Sequence, residues 1–327
     1  MPHRIPLLHE LLASAMLNDM GEAKPYALVD ATPGAVRLRV RESTDAQALL
    51  LALGCSRATA SRALSEGRLT VGGHALLARE ALPAGAVVRL AFLRTAPAGT
   101  AAMAPAAILY EDRFLLAADK PAGLLVHGDG TGAETLSDRV GAHLAREGIP
   151  ASAQAIQRLD VDTTGLVLFS LAAEIQPALD RMVAGRGVRK RYLAVVRGEY
   201  PSGERVISRP IGRDRHDARR MRVGASGKPA VTRASRIASS GGRSLLLVEI
   251  LTGRRHQIRV HLASQGFPIE GDPLYGGVGG SDDARDGLML HAYEERLAHP
   301  VTGEALVIRT PWPERFGRSF PEMTIGE

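Results

Sequence analysis

The sequence predicts an α+β protein whose main sheet is mixed and mainly antiparallel. Strand-like and helix-like segments are interspersed without the regular strand–helix–strand alternation of a doubly wound parallel sheet. No internal repeat is present, and an uncharged Ala/Pro/Gly-rich stretch at 95–107 (TAPAGTAAMAPAA) divides a small segment from a large one. The length of 327 residues agrees with about two domains as a prior.

The elements follow in order. Residues 1–43 carry few signals and are expected to be a leader. Residues 44–94 read as a small α+β module. Ala46–Leu53 and Ala58–Leu64 have helical apolar spacing, and Gly67 stands where a helix-ending glycine belongs. Short strand signals follow at Leu69–Val71, Ala75–Leu77 and Val87–Phe92, separated by Gly72-Gly73 and Pro83-Ala84-Gly85 turns. After the 95–107 linker, which is expected to be flexible, residues 108–327 form the larger domain. Ile108–Ala118 reads as two strand pieces around Glu111-Asp112. Thr135–Glu147 is an amphipathic helix with Leu136, Val140 and Leu144 on one face. Further strands are expected at Leu166–Ser170, Tyr192–Val196, Ser244–Leu251 and Leu288–Tyr293, and helices at Ala172–Val183 and Arg255–Gln265. Gly276-Gly277 and Gly279-Gly280 read as a flexible turn.

Composition narrows the function classes. Hydrophobic residues make up 45% and charged residues 23%, the mix of a soluble globular chain. The formal net charge is +6, and the basic residues cluster: Arg186 to Arg191 reads RGVRKR and Arg213 to Arg222 reads RDRHDARRMR. Clustered arginines suit a polyanionic partner, since each phosphate contact releases condensed counterions. The single cysteine, Cys55, excludes an internal disulfide framework and a Cys-based zinc site, and is compatible with a reducing cytoplasm. No apolar run is long enough to span a membrane, and the N-terminus lacks a signal-peptide layout.

Two segments carry chemistry. Gln157 to Leu166 (QRLDVDTTGL) sets an Arg and an Asp two residues apart before a small polar turn and an apolar run. Thr252 to His261 (TGRRHQIRVH) opens a basic helix. Taken alone, Asp160 is more often a turn or cap residue, Arg259 more often a solvated helix residue and Tyr192 an ordinary sheet-packing aromatic. His256 and His261 lack the spacing and Glu of a zinc-protease helix, and Gly128 to Gly132 lacks the Lys-Ser/Thr of a phosphate loop.

Taken together, five blocks resemble the RluA-type pseudouridine synthases: DKPAGLLVH (119–127), QRLDVDTTGLVLFS (157–170), KRYLAVVRGE (190–199), RPIGRDRHDARRMRVGASGKPAVT (209–232) and LLVEILTGRRHQIRVHLASQGFPIEGDPLYGG (246–277). Residues 56–73 (SRATASRALSEGRLTVGG) and 83–90 (PAGAVVRL) resemble an S-four-type RNA-binding domain. The chain departs from the first family where Gln157 replaces a usual His, where Thr164 often is Ser, and in Gly128-Asp129-Gly130 after His127.

The resemblance implies an isomerase that breaks the glycosidic bond of a uridine in RNA, turns the uracil and rejoins it through carbon, with no cofactor and no metal. It makes Asp160 the essential carboxylate, a role that needs the ionised form. Arg259 becomes its ion-pair partner and Tyr192 a ring stacking on the flipped base. Arg158 enters the space that the nucleotide vacates, while Ile258 and Leu262 line or back the pocket. Arg57, Arg62 and Arg68 would contact phosphates from the small domain. Ribosomal RNA is expected ahead of transfer RNA, and a cytoplasmic monomer is expected. The alternatives are a non-catalytic RNA-binding or ribosome-assembly protein and a sugar hydrolase. The first would have lost Asp160, Tyr192 or Arg259, and all are present. The second needs a paired carboxylate, for which only Asp162 is near.

Overall fold

A computed structural model describes residues 24–93, 102–276 and 287–321. The expected leader up to residue 23, most of the expected linker and the glycines at 277, 279 and 280 lie outside the described residues.

The larger segment is organised by one ten-stranded sheet. Its order is Glu204–Ser208, Val231–Ser240, Arg243–Ile250, Arg189–Arg197, Leu290–Ala298, Thr164–Ser170, Leu115–Lys120 and Ala107–Glu111. Gln154–Ala155 is attached to the Thr164 strand and Ala305–Arg309 to the Leu290 strand. Thr164–Ser170 and Leu290–Ala298 run parallel, while the remaining described neighbours are antiparallel. The sheet is therefore mixed and mainly antiparallel, and with its few helices the fold is α+β. The parallel pair meets closely at Gly165, with φ 104°. A Cβ there would lie 2.2 Å from the Ala292 carbonyl oxygen, so only glycine fits between the Asp160 loop and its strand.

Two of the expected helices arise close to where the patterning placed them, whereas Gln176–Ala184 starts four residues after the expected Ala172 and Glu314–Ser319 was not expected. Leu136–Arg146 starts with a capping box in which Thr135 and Asp138 satisfy each other's backbone N–H. It buries Leu136, Val140 and Leu144 against the sheet. Gln257–Ser264 buries almost all its early residues, including Ile258 and Arg259.

The small segment corrects two expectations. Tyr26–Thr32 and Ala35–Val40, assigned to the leader, are strands. They continue a five-stranded sheet through Val87–Ala91. The physical cause is visible in AVRLRV, whose buried and exposed residues largely alternate. The small segment is also not tethered by a linker alone. Its core residues Leu50, Leu53 and Phe92 share one apolar cluster with Phe114, Leu179 and Val301 of the large segment. Phe92 and Phe114 meet edge to face at 5.9 Å. Gly54, at φ 113°, lies so near helix Gln176–Ala184 that a Cβ would sit 2.5 Å from that of Ala178.

Candidate active site

Asp160 lies on the loop between Gln154–Ala155 and Thr164–Ser170, and the loop is pinned from beneath. Lys120, with no exposed surface, donates its ammonium hydrogens to the carbonyls of Pro121 at 3.0 Å, Leu124 at 2.6 Å and Val161 at 2.7 Å. Burial pulls Lys120 down to about 8, against the pull of Asp162 and Asp160. The Val161 carbonyl also accepts from Gly123 N–H at 3.0 Å, and the Asp160 carbonyl from Thr163 at 3.1 Å. This bonding fixes the backbone from Asp160 to Thr163, and the Asp160 side chain is 26% exposed.

The Gln257–Ser264 helix supplies the partner. Arg259 is 4% exposed and all three of its guanidinium nitrogens are engaged. Nε and Nη2 hold Asp272 at 2.8 and 2.9 Å, and Nη1 reaches Asp160 Oδ2 at 3.4 Å. Asp272 is fully buried and also accepts from the N–H groups of Leu274 and Tyr275. The Tyr275 ring lies 5.3 Å from both the Arg259 and the Arg220 guanidinium carbons. Burial lowers Arg259, but its hydrogen bonds and charge attraction to Asp272 and Asp160 outweigh that and raise it above its ordinary value, so it stays charged. His256 begins the helix in a left-handed conformation, φ 56°. Its Nδ1 is 2.9 Å from the Tyr275 hydroxyl, and its Nε2 is 3.9 Å from Asp160 Oδ2. Burial pulls His256 down, toward the neutral form.

Two cavities meet at Asp160. One, of about 340 Å³, is lined by Gln157, Arg158, Asp160, Lys190, Tyr192 and Ile258, with Arg259 also on its wall. The other, of about 550 Å³, opens beside His127, Arg219 and Arg255, and shares Arg158, Asp160 and Arg259. Tyr192 is 7% exposed, and burial drives its hydroxyl up, so it is a neutral phenol at neutral pH. Arg158 is exposed at the rim of both cavities. Leu262 lies in the core behind the wall. The structure thus brings Asp160, Arg158, Tyr192, Ile258 and Arg259 to one cavity, with Leu262 backing it.

The small-segment arginines separate. Arg57 and Arg62 are exposed on Arg57–Ser65. Arg68 does not face outward: its Nη1 bonds the buried Glu174 carboxylate and the Ala91 carbonyl, and its Nε bonds Glu66 at 2.7 Å. It joins the two segments, because Glu174 also accepts the Leu93 N–H. Of the basic clusters, Arg213, Arg215, Arg219 and Arg222 are exposed around the hairpin Ile211–Arg213 and Met221–Val223. Arg191 is turned inward to Glu294. Among the described residues, no group of three or more His, Cys, Asp and Glu could hold a metal ion, and no helix is long and apolar enough to cross a membrane.

Sequence reasoning missed Lys120, Asp272, Tyr275, His256 and Glu295. Lys120 stands inside DKPAGLLVH, and His256, Asp272 and Tyr275 inside the block 246–277; both blocks carry the family resemblance, a signal that could have marked them.

The sequence pattern of the RNA pseudouridylate synthases matches residues 115–264. The chain is 37% identical over 209 residues to an uncharacterized RNA pseudouridine synthase of Bacillus subtilis, covering 63% of this chain and 68% of that one. It is 36% identical over 279 residues to a ribosomal large subunit pseudouridine synthase D of Xanthomonas campestris, covering 80% and 83%. Two solved structures share the fold. The human RNA pseudouridylate synthase domain containing 1 has 29% identity and a TM-score of 0.54 over 66% of this chain and 86% of its own. The human domain containing 4 has 26% identity and a TM-score of 0.56 over 66% and 92%. The chain belongs to the RluA-type RNA pseudouridine synthases. Its reaction is the isomerisation of uridine in RNA.

Proposed function

We propose that this enzyme modifies specific uridines of large-subunit ribosomal RNA and that Asp160 is its essential carboxylate. The observation that carries the assignment is the position of Asp160 at the junction of two cavities, within ion-pair reach of a buried Arg259. The target leaves its stack and enters the smaller cavity, where the Tyr192 ring packs against the uracil. Arg158, exposed at the rim, fills the vacated space. The C1′–N1 bond breaks and a C1′–C5 bond forms. C5 gives up its proton and N1 takes one, so no atom is lost and no outside reactant is needed. Asp160 acts on the nucleoside as a carboxylate, and Arg259, held by Asp272, keeps it in place. The relatives named for the ribosomal large subunit favour that RNA over transfer RNA.

In this reading the small segment of residues 24–93 carries an S-four-like RNA-binding domain. Arg57 and Arg62 reach phosphates there, and Arg68 does not. The protein works as a monomer in the cytoplasm.

The test is pseudouridine mapping across total RNA from cells with and without the gene, complemented by wild type or Asp160→Asn. Loss of a few large-subunit sites is expected. Asp160→Asn should fold normally, leave the sites unmodified and lower turnover in vitro at least ~10²-fold. Restoration by Asp160→Asn would remove the carboxylate from the mechanism. Loss confined to transfer RNA would replace the substrate.

A further inference from the structure

The part of the smaller cavity's wall that holds Gln157 and Lys190 is built differently. Strands Arg189–Arg197 and Leu290–Ala298 set Lys190 directly across from Glu295 and Arg191 across from Glu294. Side chains alternate along a strand. Lys190 and Tyr192 therefore face the cavity, and Arg191 turns to the other side, where its Nη1 lies 3.4 Å from Glu294. Glu295 shares the face of Lys190 and is 2% exposed. From the loop before Asp160, Gln157 donates its Nε2 hydrogen to Glu295 Oε1. That leaves Gln157 Oε1 and Glu295 Oε2 as buried acceptors with no hydrogen-bond partner among the described residues. An unsatisfied buried acceptor costs about 1–3 kcal/mol, and one on a cavity wall is a place where a ligand donor belongs.

Uracil supplies such a donor. Its pairing edge carries O2, N3–H and O4, which is acceptor, donor, acceptor. Forming pseudouridine requires the base to turn about the line through N3 and C6. The turn exchanges N1 with C5 and O2 with O4, and N3–H stays on the axis. A single acceptor on that axis holds the base before, during and after the turn, and a neighbouring cation meets a carbonyl oxygen in either orientation. We infer that Gln157 Oε1 accepts the uracil N3–H and that Lys190 donates to the adjacent uracil carbonyl, with Glu295 a positioning residue that orients both side chains. Because the Gln157 amide nitrogen is committed to Glu295, its unpartnered oxygen is the atom left to accept. Cytosine carries a lone pair rather than a hydrogen at N3, so the same acceptor disfavours it. The inference rests on the assignment of this cavity to the flipped base.

The test uses an RNA oligonucleotide containing the uridine mapped as above, and a second one with 3-deazauridine there, in which C–H replaces N3–H at nearly the same volume. Wild-type enzyme should lose about tenfold in kcat/KM on the deaza RNA, the worth of one hydrogen bond. Gln157→Ala should be about tenfold slower on uridine and should no longer distinguish the two RNAs. Gln157→Met, which keeps the volume without the acceptor, serves if the alanine variant does not fold. Lys190→Met should slow both RNAs alike and keep the tenfold distinction. A purely structural Gln157 would lower both rates and leave the ratio between the RNAs intact, and that ratio overturns the inference. Asp160→Asn run in parallel separates the levels. If it remains active, the site assignment falls. If it is inactive while the ratio persists in the Gln157 variants, only the uracil contact falls.

Discussion

The two walls of the cavity at Asp160 differ in how completely their polar groups are satisfied. On one side Arg259 uses every nitrogen, and Asp272 returns bonds to the guanidinium and to two backbone N–H groups. On the other, Gln157 and Glu295 bond each other and leave two buried acceptors open. A saturated network holds its geometry with or without substrate, whereas an open one is completed only by what enters. In the proposed reading the first wall fixes the Asp160 carboxylate and the second reads the base. The variants below separate those roles.

The largest effect is expected at the saturated wall. Asp272→Ala removes both bonds to the inner nitrogens of Arg259 and strands a buried cation. Loss of one partner of such a pair costs about 3–5 kcal/mol, measurable as a lower denaturant midpoint at unchanged slope. Activity should fall with it, because Arg259 is then free to tilt away from Asp160. An unchanged midpoint would show that Arg259 finds other partners and that this wall is not the rigid one.

The open wall should respond to pH instead. Burial pushes Glu295 up to about 7 from an ordinary 4.5, against the opposing pull of Lys190 and of the Gln157 hydrogen bond. Other charged and titratable groups near it are Tyr192 on the same strand as Lys190 and Asp160 beyond it. From the flanking strand Ala305–Arg309, Ile308 lies opposite Glu295, and Arg309 turns to Glu294. The folded value lies above the unfolded one, so between pH 4.5 and 7 the folded state binds more protons. This group therefore weakens the fold as pH rises through that window, on the order of 3 kcal/mol in total by linkage. Glu295→Gln removes the effect. Wild type should lose stability relative to the variant between pH 5 and pH 8 in paired denaturation curves. Parallel pH profiles for the two proteins would place Glu295 in a far more polar setting than its burial indicates.

The contrast between the walls also explains what the sequence disclosed. Asp160, Tyr192 and Arg259 stand in blocks with recognisable spacing, and the alternating and helical patterns revealed most elements of the large segment. Asp272 was not legible as a ligand of Arg259, because that pairing depends on the chain after Gln257–Ser264 folding back beside the helix. Glu295 is 138 residues from Gln157, and nothing local to either residue announces the pair. Val231–Ser240 was missed because its arginines and serines obscure the apolar face. The strands at Tyr26–Thr32 and Ala35–Val40 were missed although AVRLRV alternates and Pro33-Gly34 marks the turn between them.

The smallest effects, and the sharpest contrast, are expected among the small-segment arginines. Arg62 is exposed on a helix, and Arg68 is sealed between Glu66, Glu174 and a backbone carbonyl. Arg68→Ala should cost about 2 kcal/mol of stability, since among the described residues Glu174 keeps only the Leu93 N–H as a polar partner in a 1% exposed position. It should leave the salt dependence of RNA binding unchanged. Arg62→Ala should shift stability by less than about 0.5 kcal/mol. If Arg62 meets a phosphate, its loss should weaken RNA binding uniformly and lower the slope of log affinity against log salt by roughly one counterion. Each variant moves one readout and leaves the other in place, because a guanidinium committed to a buried carboxylate is not available to a phosphate. Should Arg68→Ala flatten the salt slope while Arg62→Ala does not, the RNA-facing surface lies at the junction of the two segments and not along the exposed helix.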